Sequence, residues 1–256
     1  MTRAPALFIG HGSPMNAIED TPSARGWAEI ARAFPKPRAI VVISAHWVTE
    51  GVRVTSNAQP RTIHDFGRGF PQALFDVQYP APGEPALART IVEKLTAYDA
   101  QLDDTWGLDH GTWSVVKHMY PDADVPIVQV SLDLRRPATE HYAIARALSD
   151  LRDDNVLILG SGNIVHNLRQ ISWEGKPYAW AEEFDAVAAK LIESRDVTAL
   201  AHYEKLGTAA GLSIPTNEHY LPMLYTLAMQ DAKDELSFFN TGIDHGSISM
   251  RSFILK

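Results

Sequence analysis

The sequence predicts an α/β fold, a single three-layer domain over residues 1–256 in which helices flank a central mixed sheet. Two observations predict it. Short apolar runs typical of buried strands recur along the chain, and segments with apolar residues at helical spacing lie between them. The content of 45% hydrophobic and 21% charged residues is that of an ordinary globular protein, and the length fits one large domain.

The predicted strands are short and apolar throughout, as is typical of buried strands. They comprise Ala6–Ile9, Ala39–Ile43, Ile127–Val130 and Val156–Leu159, with an alternating segment, Ile248–Leu255, near the end. The predicted helices have apolar residues at helical spacing, and several follow a Pro, Ser or Thr that can start a helix. They comprise Ala24–Phe34, Glu84–Leu95, Ala138–Leu151, Tyr178–Ser194 and Tyr220–Ala228.

Net charge and residue types exclude several classes of function. A formal net charge of −8 with no run of Lys or Arg argues against a nucleic-acid or anionic-membrane surface, so a small-molecule partner is favoured. The chain has no Cys, which excludes disulfides, thiolate metal sites and a Cys nucleophile. Any metal must therefore bind to His, Asp or Glu. Because no stretch is long enough for a signal sequence or a membrane span, we expect a cytoplasmic location.

Three histidines follow predicted strands. These are His11, His46 and His166, and the open sheets of α/β proteins bind ligands beyond the carboxyl ends of their strands. One histidine in such a place is usually structural, but three predict a rim of imidazoles, and imidazole is a common ligand of zinc, iron and copper. The small-residue loops 10–14 and 160–163 suggest backbone held close to a bound group. The pattern predicts a metal site.

The segment Leu108–Trp113 places His110 between an acidic residue and a glycine. This pattern is typical of an acid/base in a pocket and equally typical of a turn with a capping Asp, so the residues leave both interpretations open. The sequence has no phosphate-binding GxxxxGK loop, no GxSxG nucleophile elbow and no HExxH helix. The glycines at 160 and 162 lack the third glycine of a dinucleotide-binding fingerprint.

A second candidate segment lies at residues 215–220. Thr216 or Asn217 is expected to cap a helix that opens with Glu218 and His219, and either of these two can complete a metal shell. The remaining histidines carry less weight. His64 can line a pocket, whereas we expect three others to be solvated or packed: His118, His141 and His202.

Six motifs then occur in order along the chain: Gly10–Asn16, Ser44–Trp47, Thr62–Pro82, Asp109–Trp113, Gly162–Leu168 and Glu218–Pro222. Together they resemble the 4,5-DOPA extradiol dioxygenase family, which belongs to the class III ring-cleaving dioxygenases. The resemblance runs from His11 to the segment Gly246–Met250, which is essentially the whole chain.

The resemblance implies one divalent metal ion per chain, Zn(II) or Fe(II), at the rim of the sheet. The ligand set that it implies is His11, His46, His166 and His219. Glu218 is a rival to the last of these, because related enzymes complete their ligand set with a carboxylate. His166 corresponds to a histidine that is a ligand in some members and an acid/base in others, and His110 corresponds to a pocket histidine. His110 and His166 are therefore the candidate catalytic residues.

The implied activity is insertion of both atoms of O₂ into a catechol-type, DOPA-like ring with ring opening, by a monomer or a small homo-oligomer. The loop Asp65–Pro71 is one residue longer than the family pattern and carries Arg68, which suggests an anionic substituent on the substrate or, alternatively, an exposed arginine without a role. Two other functions share the same ligands: a zinc-dependent hydrolase and a non-catalytic zinc-binding protein.

Overall fold

The computed structural model describes residues 3–256, and its core is a six-stranded sheet. The strands of this sheet are β1 (Ala6–Gly10), β2 (Ala39–Ser44), β5 (Ile127–Gln129), β6 (Val156–Gly162), β7 (Leu236–Phe239) and β10 (Ser252–Leu255). Two small pairs lie outside it: β3 (Arg53–Thr55) with β4 (Gln101–Asp103), and β8 (Ile243–Asp244) with β9 (Ile248–Ser249).

The central sheet is mixed, as predicted. Its strand order is β5-β2-β6-β1-β10-β7, in which the first four strands are parallel and β10 runs antiparallel to both of its neighbours. Gly10 at the end of β1 pairs with Gly162, and Ser44 at the end of β2 pairs with Ser161. The carboxyl ends of β1, β2 and β6 therefore meet at one edge of the sheet.

Nine α-helices occur in residues 3–256: α1 (Pro22–Ala31), α2 (Gln72–Phe75), α3 (Pro85–Lys94), α4 (His110–Met119), α5 (Ala138–Arg146), α6 (Ala179–Glu193), α7 (Val197–Ala201), α8 (Thr208–Ser213) and α9 (Leu221–Ala228). Short 3-10 turns cover Pro14–Ala17, Thr96–Tyr98, Ser149–Asp154, Leu168–Gln170 and Tyr203–Lys205. Across residues 3–256, no helix combines the length and apolar character that crossing a membrane requires.

Helices cover both faces of the sheet, which confirms the three-layer prediction. Successive strand residues point to opposite faces, so Leu7 and Ile9 pack with α1 and α4, whereas Ala6 and Phe8 pack with α3, α5, α6 and α9. All of these strand residues are fully buried. The sheet edge that carries the three strand ends is left open between the helical layers, and the candidate site lies there.

Several elements were not predicted: strands β3, β4, β7 and β8, and helices α2, α4, α7 and α8. Two differences bear on the site. The segment predicted as one strand, Ile248–Leu255, is divided at Met250 and Arg251: β9 pairs with β8, whereas β10 joins the central sheet. Helix α4 was not predicted from the apolar pattern. Its segment contains a glycine and several β-branched residues, which are poor helix formers, and almost all of its side chains are buried, so tertiary packing sets its conformation.

Candidate metal centre

Five histidines meet at the edge of the sheet where β1, β2 and β6 end: His11, His46, His110, His166 and His219. The rings of His166 and His219 stack with their centroids 3.5 Å apart, and those of His46 and His110 are 3.8 Å apart. His219 also lies 5.0 Å from His46 and 5.3 Å from His11. The structure thus brings all five histidines predicted for the site into one cluster.

The imidazole of His11 is oriented by the neighbouring strand. Its Nδ1 is 3.0 Å from the hydroxyl of Ser161 on β6, and this hydroxyl donates its own proton to the carbonyl oxygen of Gly111 at 2.5 Å. Ser161 therefore accepts a hydrogen bond from Nδ1–H of His11, so the proton of the neutral ring is on Nδ1. Nε2 of His11 keeps its lone pair and lies 3.1 Å from Nε2 of His46.

A carboxylate orients two further rings. Oδ2 of Asp65 is 2.9 Å from Nδ1 of His110 and 3.4 Å from Nδ1 of His46, and Oδ1 accepts a hydrogen bond from the backbone N–H of His110. The negative charge favours a proton on both Nδ1 atoms. Nε2 of His46 and Nε2 of His110 therefore keep their lone pairs.

The facing Nε2 atoms of His11 and His46 fit a bound cation. Burial, together with the neighbouring histidines, lowers the pKa of His46 to about 3 and that of His11 well below its ordinary value, so both rings are neutral at pH 7. Two lone pairs then face each other across 3.1 Å. Two nitrogens bound to one zinc ion at about 2.0–2.1 Å in tetrahedral geometry are about 3.3 Å apart. The residues present thus fit a divalent metal ion.

His219 has its own carboxylate partner. Oε1 of Glu218 is 3.1 Å from Nδ1 of His219 and accepts a hydrogen bond from the hydroxyl of Thr216 at 2.9 Å. This pairing leaves Nε2 of His219 free, as in metal-binding histidines whose other nitrogen bonds to a carboxylate. Burial lowers the pKa of His166 to about 4 and that of His219 far below its ordinary value. Both rings are therefore neutral at pH 7.

The donor atoms fall into two groups whose members are close enough to share an ion. Within each group, one ligand atom per residue lies within 4.8 Å of the others. The groups are His11, His46 and His110, and His166, Glu218 and His219. The geometry thus associates His110, which the sequence assigned to catalysis, with two predicted ligands.

Asp109 positions the helix that carries His110. Its buried carboxylate accepts hydrogen bonds from the N–H of Thr112, from the hydroxyl of Ser44 at 2.6 Å and from the side-chain amide of Gln129 at 2.6 Å. The capping Asp inferred as one interpretation of this segment is therefore present, and His110, the first residue of α4, also lines the cavity. Burial raises the pKa of Asp109.

Gly111 allows α4 to approach the metal site. A Cβ atom at this position would lie 2.6 Å from Oγ of Ser44 and 2.9 Å from Cδ2 of His46. Real Cβ atoms do not make contacts this short, so any side chain here would displace His46 or the helix. The glycine is required by a close approach within the site.

The five histidines line a cavity of about 830 Å³. Phe66 and Phe70 form part of its wall, with their ring centroids 5.3 Å apart, and the ring of Phe66 meets His110 edge-on at 5.6 Å. Such a wall suits a planar aromatic ligand. Arg68, in the longer loop, is exposed and does not line the cavity, which agrees with the alternative of an arginine outside the site.

Two local predictions were wrong. The glycines at 160 and 162 were interpreted as backbone held against a bound group, but a Cβ at Gly162 would lie 2.1 Å from the carbonyl oxygen of His219, so the small residues accommodate the chain before α9. The helix expected to be capped at Thr216 or Asn217 begins at Leu221. His219 therefore lies before the helix, and its carbonyl oxygen accepts a hydrogen bond from the N–H of Asn163.

Sequence reasoning missed two residues of the site. Asp65 and Ser161 orient His110 and His11, and the sequence pattern predicted this role for neither residue. Asp65 is 45 residues from His110, so only the fold brings the two together. His64 does not line the cavity; its Nε2 lies 3.0 Å from the carbonyl oxygen of Val77.

The fold and the cluster define an α/β protein with a histidine-rich centre open to a large aromatic-lined cavity. Residues 5–246 match the family model described as the catalytic LigB subunit of aromatic ring-opening dioxygenase. The chain is 49% identical to a 4,5-DOPA dioxygenase extradiol of Escherichia coli strain K12, over 98% of this chain and 94% of that protein. It is 33% identical to a 4,5-DOPA dioxygenase extradiol of Portulaca grandiflora, over 97% of this chain and 94% of that protein.

Comparison with solved structures agrees with these sequence similarities. A crystal structure of an uncharacterized protein from Escherichia coli K12 matches with a TM-score of 0.85 and 42% identity, covering 99% of this chain and 100% of that chain. The chain belongs to the LigB family of aromatic ring-opening dioxygenases, and it is an extradiol dioxygenase.

Proposed function

We propose that this protein binds one divalent metal ion and uses it to open a catechol-type, DOPA-like ring with both atoms of O₂. The observation that supports the metal is the pair of Nε2 lone pairs of His11 and His46, which face each other at 3.1 Å with no proton between them at neutral pH. Because the chain is an extradiol dioxygenase, the two alternatives of a zinc hydrolase and a non-catalytic zinc-binding protein are not retained.

The proposed ligands are His11, His46, His166 and His219. Glu218, the rival ligand, is already bonded to His219 and Thr216, which favours a role in orienting the histidine. Zn(II) and Fe(II) both accept imidazole ligands, so the donor set leaves the identity of the metal open between them. Fe(II) would supply open positions at which both catechol oxygens and dioxygen are held side by side.

His110 is proposed to act as the acid/base. Its Nδ1–H is bonded to Asp65, so Nε2 is the atom that accepts a phenolic proton from the substrate and later returns it. The rings of Phe66 and Phe70 restrict the substrate ring and exclude water from it. His166 remains in both proposed sets, as a ligand and as a second acid/base.

Metal analysis combined with oxygen uptake tests the proposal. The protein is purified without oxygen, its metal is quantified, and oxygen consumption is followed with DOPA and with other catechols after loading with Fe(II) or Zn(II). We expect one metal ion per chain and stoichiometric oxygen uptake with at least one catechol. His11→Ala should lose metal and activity together, while His202→Ala, at a half-buried histidine that does not line the cavity, should lose neither. Full metal retention by the His11 variant would contradict the ligand set.

A further inference from the structure

Three cavity-lining side chains form a row across neighbouring strands: His166, Ile248 and Asp244. His166 is bridged to Ile248 in antiparallel register, and Ile248 on β9 pairs with Asp244 on β8. Residues directly opposite each other in antiparallel strands project from the same face. The row therefore runs from the histidine cluster, across an apolar side chain, to a carboxylate.

The spacing of the row suits a catechol with a short arm. Hydrogen bonds from Asn167 N–H to Ser247 and from Ser249 N–H to Val165 flank the pair formed by His166 and Ile248, which makes it the closely spaced kind of pair. With about 4.5 Å for this pair and about 5.5 Å for the next, the Cα atoms of His166 and Asp244 are about 10 Å apart. A catechol whose ring lies beside His166 and whose two-carbon arm crosses Ile248 would bring the end of that arm towards Asp244.

The charged residues along the cavity are of one sign. The carboxylates of Glu19, Asp65 and Asp244 line it, and within residues 3–256 no Lys or Arg does. Asp65 is bonded to His110, and Glu19 follows the 3-10 turn after β1. Among the described residues, Asp244 forms no salt bridge, so its charge is available to a ligand.

An indole ring lies at the same end of the cavity. Trp173 is 84% exposed, lines the cavity and meets the ring of His245, the neighbour of Asp244, edge-on at 5.3 Å. An exposed tryptophan beside a carboxylate is a favourable environment for an ammonium group, which is attracted both by the charge and by the face of the indole.

We infer that Asp244 is a specificity-determining residue that favours catechols whose arm carries an ammonium group, with Trp173 as a second contact. The inference rests on the ring-opening function proposed above. It opposes the suggestion of an anionic substituent that Arg68 raised, because Arg68 is outside the cavity and the charge at the end of the row is negative.

Matched ligands test the role of Asp244. Binding of dopamine and of dihydroxyphenylethanol, which has the same two-carbon arm ending in a hydroxyl, is measured anaerobically by calorimetry on the metal-loaded enzyme, with dihydroxyphenylpropionate as the anionic probe. We expect the wild type to bind dopamine about fivefold more tightly than the alcohol, since ion pairs at exposed sites contribute modestly. Asp244→Asn should abolish this preference while leaving the affinity for the alcohol unchanged.

Two variants serve as controls. Asp244→Glu keeps the charge and should keep the preference, and Glu174→Gln removes a neighbouring exposed carboxylate that does not line the cavity and should have no effect. Equal binding of dopamine and the alcohol by the wild type, a preference for the propionate, or equal weakening of both ligands in the Asp244→Asn variant would overturn the inference. If all three catechols bind but none consumes oxygen, the proposed function fails, while the binding data still decide the role of Asp244.

Discussion

Oδ2 of Asp65 lies 2.9 Å from Nδ1 of His110, and Oδ1 of the same carboxylate accepts the backbone N–H of that histidine. Because both oxygens bind one residue, the ring cannot turn without breaking the pair, and Nε2 stays directed into the cavity. A base that accepts a proton from a bound substrate depends on such fixed geometry. Asp65 is therefore a positioning residue for His110.

Asp65→Asn should lower kcat by about 10- to 100-fold, the range found when partners behind functional histidines are removed. KM should change little, because the carboxylate is engaged with histidines and does not depend on the substrate for a partner. Steady-state oxygen uptake measures both constants. Asp76→Asn is the matched control, since Asp76 belongs to the same loop region and, within residues 3–256, its side chain bonds only to Gln72. An unchanged kcat in the Asp65 variant would refute the role.

His166→Ala distinguishes the two roles left open for His166. The ring of His166 stacks on that of His219 with the centroids 3.5 Å apart, and His166 belongs to the same group of possible metal ligands as Glu218. We therefore expect the variant to bind metal at least about tenfold more weakly. The measurement is metal content after dialysis against a chelator of known affinity. A variant that keeps its metal but loses kcat would instead assign His166 to proton transfer alone.

Gly111→Ala tests the close approach of α4 to the site. The added methyl would meet Ser44 and His46 at 2.6 and 2.9 Å, so His46 must move. We expect a loss of about 1–3 kcal/mol in the free energy of unfolding from overpacking, together with weaker metal binding. Gly211→Ala is the control, because a Cβ there meets no atom within 4 Å and the residue lies in α8. This variant should be slightly more stable, with normal metal content.

The sequence predicted the layers and the rim of the sheet well because both depend on local signals. Apolar runs such as Ala39–Ile43 have few alternatives to a buried strand, and parallel strands necessarily place their carboxyl ends together. The positions of His11 and His46 then followed from the fold class. The sequence alone therefore predicts that these histidines share one rim.

The contacts that orient these histidines could not be predicted in the same way. Ser161 contacts His11 across a sequence separation of 150 residues, and Asp65 contacts His110 across one of 45 residues. Only the folded chain brings these residues together. Helix α4 was missed for a related reason, because its burial against the sheet outweighs the weak helix propensity of its residues. Short pairs such as β8 with β9 have too few residues for a recognisable pattern.

His141 makes the stability of the protein depend on pH outside the metal centre. It is fully buried, with Nδ1 3.0 Å from the hydroxyl of Tyr225 and Nε2 3.1 Å from the carbonyl oxygen of Asp133. Burial lowers its pKa from 6.5 to about 4. The unfolded chain therefore binds a proton at a higher pH than the folded chain does, so the stabilisation is complete above pH 6.5 and is lost as the pH falls towards 4. This lowering of the pKa corresponds to about 3 kcal/mol.

Urea unfolding at several values between pH 7 and pH 4 measures this dependence. His141→Gln should be less stable than the wild type at pH 7, because it loses packing and hydrogen bonds, but its stability should fall by about 3 kcal/mol less over the interval. His202→Gln is the control, since among the described residues the half-buried side chain of His202 bonds only to the carbonyl oxygen of Thr198. The histidines of the metal centre are unchanged in both variants, so the difference between their slopes isolates His141. Parallel curves for the two variants would show that His141 does not titrate between the folded and unfolded states.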